Sequence, residues 1–329
     1  MASLEPVRWG ILSTARINAF VIPGLHESPL TDLVAVASRT EERARAYAHE
    51  WGIPRAYGTY DELLADPDVE VVYISVPNGP HVEWSIHALE AGKHVLCEKP
   101  LARLPEQVEQ AFDTAGRAGR LLMEAFMWRH HPQTTRLVEL VRGGAIGELR
   151  LVRASFSFTL RDDPVRLDPA FAGGSLMDVG CYCVSGSRLL AGEPATATAH
   201  QVLAPTGVDV RLAGTLVFPG GVAAQLDCAF DLPPRQGLDV IGSEGSLHVA
   251  TPWGCHEPGI DFRRGHDRER FAIEPADRYR LQGDNLSRAV RGLEEPLLGR
   301  EDALGQARTI DALYRSAEAG GAPAHIAVG

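Results

Sequence analysis

The stretch "AGKHVLCEKPLAR", residues 91–103, joins a helix stop, a buried strand and a charged turn. Ala91-Gly92-Lys93 reads as a helix C-terminus with the glycine at C′. Residues 94–98 form an apolar run of strand length, and Glu98-Lys99-Pro100 closes it with two charges and a ring. A helix handing straight over to a buried strand is half of a parallel crossover. Such a strand delivers Lys99 to the carboxyl edge of a sheet, where open α/β folds bind ligands. Pro100 restricts Lys99 to extended backbone geometry, so the lysine is aimed.

Outward from this stretch the pattern repeats. Strand-like runs at 7–12, 33–38, 69–76, 94–98 and 120–124 alternate with helical segments at 17–25, 41–51, 60–65, 80–91 and 106–118. Five strands with short crossover helices predict a Rossmann-like, doubly wound parallel sheet over residues 1–125. After Gly147 the texture changes. Alternating segments at 149–160, 210–232 and 237–252 are joined by Pro-Gly-Gly and Glu-Gly turns, and the tail is helical again. The fold class expected is therefore α/β, with a second α+β domain over 126–329 built on an open, largely antiparallel sheet. That domain is expected to bind substrate. An open sheet face needs cover, which predicts a homodimer through the C-terminal sheet.

Composition agrees with two globular domains: 329 residues, 45% hydrophobic and 23% charged. A net charge of −11 argues against general nucleic-acid or membrane-surface binding. The five cysteines contain no C-x-x-C pair, so buried thiols in a reducing compartment are expected and no metal site. The first residues hold neither an apolar leader nor a twin arginine, and no apolar stretch is long enough to span a membrane. A soluble cytoplasmic protein with a small-molecule substrate is the expectation.

A dinucleotide fold needs a tight turn after its first strand, where backbone meets pyrophosphate at a helix N-terminus. In "WGILSTARINAF", 9–20, the three glycine places hold Ser13, Ala15 and Asn18. Position alone makes Ser13, Thr14, Ala15, Arg16 and Ile17 the cofactor turn. The second strand ends in Ser38-Arg39 where NAD-selective sites place an acid, which predicts NADP rather than NAD, with Arg39 on the 2′-phosphate. The same residues also fit a Ser38-x-x-Glu41 capping box with a solvated Arg39. "YISVPNGPH", 73–81, offers Pro77, Asn78 and His81 as cofactor contacts, or a His81 satisfying local backbone.

In "FAGGSLMDVGCYCVS", 171–185, Asp178 and Tyr182 are four apart, hence on one helix face, behind a Gly173-Gly174 pair that permits close approach. They fit a core-facing hydrogen-bonded pair. They also fit an acid/base site, since a lysine nearby lowers a tyrosine's pKa toward neutrality.

The motif Glu98-Lys99-Pro100-Leu101, after "AGKHVLC" and before "GGSLMDVGCY", resembles the Gfo/Idh/MocA family of NAD(P)-dependent oxidoreductases, and the resemblance runs from "WGILSTARI" to "IDALYRSAEAG". It implies a catalytic Lys99 beside the nicotinamide, Glu98 and Lys99 among the cofactor contacts, an Asp178 that orients substrate, and Tyr182 at the third catalytic place. With "MEAFMWRHHPQ", 123–133, the tyrosine is most similar to the dihydrodiol dehydrogenase, D-xylose dehydrogenase and glucose–fructose oxidoreductase branch. That branch implies NADP, hydride transfer on a sugar, polyol or cyclic diol, a dimer, and Arg129 and His130 near the domain interface. Two rivals follow from the same scaffold: a non-catalytic sensor of NADP or sugar, and a sugar enzyme cycling a bound NAD.

Overall fold

The computed structural model describes residues 5–161 and 163–327. It begins with β1 (Val7–Leu12), α1 (Asn18–Glu27), β2 (Thr31–Ala37), α2 (Glu41–Trp51), β3 (Arg55–Tyr57), α3 (Tyr60–Leu64) and β4 (Val71–Ile74). There follow α4 (His81–Glu90), β5 (His94–Glu98), α5 (Pro105–Ala118), β6 (Leu122–Ala125), α6 (Pro132–Arg142) and β7 (Leu149–Thr159). A π-helical turn at Leu176–Gly180 runs directly into α7 (Cys181–Ala191). Next come β8 (Thr196–Leu203), β9 (Asp209–Val217), β10 (Ala223–Ala229), β11 (Asp231–Gly242), β12 (Ser246–Val249), β13 (Gly259–Arg264) and β14 (Asp267–Ala272). The chain closes with α8 (Arg278–Val290), α9 (Arg300–Glu318) and β15 (Ala324–His325).

Two compact units result: residues 5–102, 106–127 and 277–303 form one, and 103–105, 128–276 and 304–327 the other. In the first, six parallel strands run in the order β3-β2-β1-β4-β5-β6. This is the doubly wound sheet expected, with one strand more than the five read from sequence. The extra strand, β3, is a three-residue edge strand of half-buried residues, too short for a pattern of its own. Chain order reverses between β1 and β4, so the crevice opens at the carboxyl ends of those two strands. Trp9, Ile11, Leu12, Tyr73 and Ile74 are wholly buried beneath that edge. The lysine of Ala91-Gly92-Lys93 is buried too, and its ammonium donates to the carbonyls of Asp66 (2.6 Å) and Val69 (2.9 Å), closing the turn that enters β4.

The second unit is built on nine strands in the order β14-β13-β12-β11-β7-β10-β9-β8-β15. Every neighbouring pair is antiparallel except β7 and β10. The π-helical turn and α7 lie along β7 and β10.

The helix α8 departs from the boundary at 125/126, which places it with the second domain. Its surface is cut to fit α1 of the first unit. A Cβ on Gly24 would stand 2.7 Å from the backbone nitrogen of Arg280, and one on Gly283 would stand 2.9 Å from Leu25. The indole of Trp9 on β1 donates to Ser287 (3.1 Å). Helical periodicity identifies α8 as a helix but says nothing about which unit it covers.

Gly24→Ala tests this fit. Helix propensity alone favours the alanine by about 1 kcal/mol, but the facing atoms are backbone and cannot swing aside. Overpacking of this kind costs ~1–3 kcal/mol, so the variant is expected to unfold at lower urea concentration than the parent.

Candidate functional site

The carboxyl edge of the parallel sheet carries most of the residues expected to meet a cofactor. Ser13, directly after β1, takes φ +119°, a left-handed conformation that glycine adopts freely and serine does not. Its side chain offsets the strain. The hydroxyl donates to the Ser75 carbonyl (3.0 Å), lies 2.9 Å from the Ser75 hydroxyl and accepts from the Ala15 amide (3.2 Å). The Asn18 side chain donates from Nδ2 to the Ser13 carbonyl (2.9 Å). The turn thus keeps a glycine's backbone at the first glycine place and locks the ends of β1 and β4 together. Ser13 is buried and its hydroxyl serves the turn, whereas Thr14, Ala15 and Ile17 are half-buried and Arg16 is exposed at the start of α1.

At the end of β2, Ser38 is buried and its amide donates to Tyr57 on β3 (3.1 Å). The capping box read at Ser38-x-x-Glu41 is corrected here. Ser38 stays in the sheet layer, Thr40 caps α2 by accepting from the Arg43 amide (3.4 Å), and Glu41 pairs with Arg45. Arg39 is exposed. Four residues on, Arg43 reaches back to the first turn, donating from Nε to the Thr14 hydroxyl (2.7 Å) and from Nη2 to the Thr14 carbonyl (3.4 Å). Both guanidinium charges act on Tyr60, whose pKa burial raises and Arg39 and Arg43 lower. Arg43 is a cation that the sequence reading missed. Its signal was its place in the first turn of the helix that follows β2.

After β4, Pro77 and Asn78 are half-buried, but His81 is wholly enclosed. Its ring nitrogens face the carbonyls of Pro100 (2.9 Å) and Val76 (3.0 Å). The imidazole therefore ties α4 to the two ligand-edge loops and is not a side-chain contact for a cofactor, which corrects that expectation. Burial pushes its pKa down to about 4, and the nearby Lys99 charge adds to the shift.

Lys99 stands half-buried at the end of β5, joined to Pro100 by a cis peptide. Two carboxylates shape this turn. Glu98 accepts from the Tyr73 hydroxyl (2.6 Å) and from the Lys99 amide (3.3 Å), and Glu124 of β6 accepts from the Leu101 amide (2.8 Å). Glu98 is thus used inside the fold. Tyr279 of α8 senses the same charges: burial, and then Glu98, raise its pKa to about 12 against the lowering charges of Arg278 and Lys99. No sequence signal near Lys99 pointed to Tyr279, which lies 180 positions away in number.

In the second unit, Asp178 sits in the π-helical turn and Tyr182 in the first turn of α7. A π turn holds more residues than an α turn, so the expectation of one plain α-helical face is modified; π turns of this kind recur at functional sites. The Asp178 amide donates to Gly174 (3.0 Å). Its carboxylate accepts from Arg166 Nε (2.7 Å). Tyr182 is 6% exposed, edge-on to Phe156 at 5.5 Å between centroids and tilted against Trp253 at 6.0 Å. The start of this helix is anchored by buried Asp209, which accepts from Ser175 (2.6 Å), the Leu176 amide (2.8 Å) and Tyr314 (2.8 Å). Burial raises the Asp209 pKa against those three donors. Arg129 reaches Ser185 of α7 at 3.4 Å. Trp253 and Arg166 were not singled out in the sequence, because one is a lone aromatic and the other lies in a loop without periodicity.

Comparison with known proteins agrees with this fold. A model of an oxidoreductase family with an NAD-binding Rossmann fold matches residues 7–126, and one of the GFO/IDH/MocA C-terminal domain matches residues 134–248. The chain belongs to the Gfo/Idh/MocA oxidoreductase family. It is 42% identical over 327 residues to D-xylose 1-dehydrogenase (NADP(+)) 2 of Haloferax volcanii, covering 95% of this chain and 98% of that one. It is 36% identical over 262 residues to trans-1,2-dihydrobenzene-1,2-diol dehydrogenase of mouse, with 78% and 79% covered. Among solved structures, a 3-ketoreductase from Actinomadura kijaniata in complex with NADP and TDP-benzene superposes with a TM-score of 0.90 at 32% identity, covering 95% and 98% of the two chains.

The enclosed His81 generates a pH prediction. An unfolded histidine takes its proton near pH 6.5 and the folded one only near 4, so protons bind the unfolded chain first. Stability is full above pH 6.5 and is lost as pH falls from there toward 4. One such group removes about 2 kcal/mol between pH 7 and pH 5. Urea midpoints at the two pH values are expected to differ less in His81→Gln than in the parent.

Proposed function

We propose that this chain is an NADP-dependent oxidoreductase that transfers hydride between the nicotinamide and a secondary alcohol or carbonyl of a sugar, polyol or cyclic diol. One observation carries the reading: Lys99 and two arginines, Arg39 and Arg43, stand at the carboxyl edge of one parallel sheet whose first turn keeps a glycine's backbone. The residues fit the cofactor. Thr14 to Ile17 lead into a helix N-terminus suited to pyrophosphate. Ser38, Arg39 and Arg43 suit the extra phosphate of NADP, because Ser38 and Arg39, not an acid, directly follow β2. NADP, when bound, supplies the hydride chemistry.

The chain supplies proton handling and charge. Tyr182 takes the hydroxyl proton of the alcohol in the oxidative direction and returns it in the reductive one. Lys99 stabilises the negative charge that develops on oxygen, and Asp178, held by Arg166, orients a neighbouring hydroxyl. Aromatic side chains beside Tyr182 suit the apolar face of a sugar or ring diol. The same reading makes the protein a cytoplasmic homodimer paired through its second sheet. Five buried thiols and the exposed Val202, Leu203 and Val217 on β8 and β9 support this.

Titration with NADPH and NADH, read by nicotinamide fluorescence, tests the cofactor assignment. Arg43→Ala is expected to weaken NADPH at least tenfold, the scale of one charge-assisted hydrogen bond, and to leave NADH unchanged. Equal loss for both would remove the 2′-phosphate role, and binding of neither would leave a sugar sensor as the better reading. Lys99→Met is expected to keep NADPH binding and lose about 10²–10⁴ in kcat. Near-normal turnover would overturn the mechanism.

A further inference from the structure

Tyr182 shares a face of α7 with Gly186, one helical turn further on. A Cβ on Gly186 would stand 2.7 Å from Cη2 of Trp253 and 3.1 Å from its Cζ3, the outer edge of the indole. The glycine is therefore a seat for that edge. From the seat the indole leans on the Tyr182 ring, at 6.0 Å between centroids and 46° between planes.

Trp253 is locked where it sits. Its Nε1 donates to the Ser155 carbonyl of β7 at 3.0 Å, and Trp128 meets it edge-on at 5.1 Å. The loop that carries it is tied on both sides. Gln133 of α6 donates from Nε2 to the Thr251 carbonyl (3.3 Å), and the Gly254 backbone amide donates to Gln236 of β11 (3.3 Å). Of the two rings beside Tyr182, Phe156 is half-buried, whereas Trp253 is 1% exposed. A small molecule can meet the first ring but not the second. What Trp253 contributes to the site therefore passes through Tyr182.

We propose that Trp253, seated on Gly186, is a positioning residue for proton transfer: it fixes the angle at which Tyr182 presents its hydroxyl. The inference rests on the acid/base role read for Tyr182 and deepens it. A tyrosine oxygen lies at the far end of a ring that turns about two bonds, so a small tilt near the helix becomes a large displacement at the hydroxyl. Displacing a reacting group by about 1 Å costs on the order of a hundredfold in rate. A wall held by its own hydrogen bond removes that freedom before substrate arrives. Trp253 itself exchanges neither proton nor hydride.

The test offers D-xylose, D-glucose and trans-cyclohexane-1,2-diol with NADP and follows the best of the three in the parent and three variants. Gly186→Ala puts a methyl group into the seat and pushes the indole against Tyr182. It is expected to lower kcat about thirtyfold, most of what a 1 Å displacement costs, with NADPH binding unchanged. Its solvent deuterium isotope effect on kcat is expected to rise, because proton transfer becomes the slower step. A fold that is merely damaged loses active enzyme and leaves that isotope effect where it was. Trp253→Phe gives up the bond to Ser155 and is expected to lose about threefold, the scale of one neutral hydrogen bond. It meets no collision, and it carries the test by the same isotope criterion where Gly186→Ala does not fold. The phenyl ring also lacks the two atoms that the methyl group strikes. The double variant Gly186→Ala/Trp253→Phe is therefore expected to turn over faster than Gly186→Ala alone. Parental kcat in either single variant, an isotope effect that stays fixed as kcat falls, or a double variant slower than Gly186→Ala would overturn the inference and leave the oxidoreductase reading standing. Turnover of none of the three compounds by the parent, with NADPH still bound, would overturn both.

Discussion

Everything at the ligand edge of the first unit hangs on a backbone conformation that serine resists. Ser13 at φ +119° carries strain of ~1–3 kcal/mol. It holds because one hydroxyl is engaged with the Ser75 carbonyl, the Ser75 hydroxyl and the Ala15 amide at once. That knot joins the two strands between which chain order reverses, so the crevice has a fixed floor. Arg43 is fastened to Thr14, the very next residue, and His81 fastens the β4 and β5 loops. The Arg43 guanidinium is therefore set by the turn and not by its own flexibility.

The second unit solves a similar problem with a buried acid. Asp209 costs free energy to enclose, and three donors from separate elements offset that cost. Their common effect is to fix where the helix bearing Asp178 and Tyr182 begins. Positioning at both ends is thus the work of buried groups whose hydrogen bonds are spent inside the fold.

Strand-forming runs such as 7–12 and 94–98 were legible to the residue, because a parallel strand buried on both faces has a continuous apolar signature. Lys99, Asp178 and Tyr182 stood out as candidates by their places in the sequence, but spacing alone fitted a core pair for Asp178 and Tyr182 equally, and their catalytic roles come from the family resemblance. What escaped notice has a common cause. The short strand β3 takes its identity from pairing, the helix α8 takes its place from a fit to Gly24, and Arg166 and Trp253 gain meaning only from neighbours distant in number. Ser38 shows the reverse case. Its capping motif is locally plausible, but the pairing with Tyr57 keeps it in the sheet and moves the cap to Thr40.

The π-helical turn at Leu176–Gly180 has a bearing on how such chains diverge. A π turn is an α turn with one residue inserted. Deletion of Val179 or Gly180 would restore regular winding and turn Asp178 by about 100° around the axis relative to Tyr182. The helix would lose little stability, yet the two side chains would no longer address the same point. A change of one residue in length after Asp178 would thus keep the fold and alter the site.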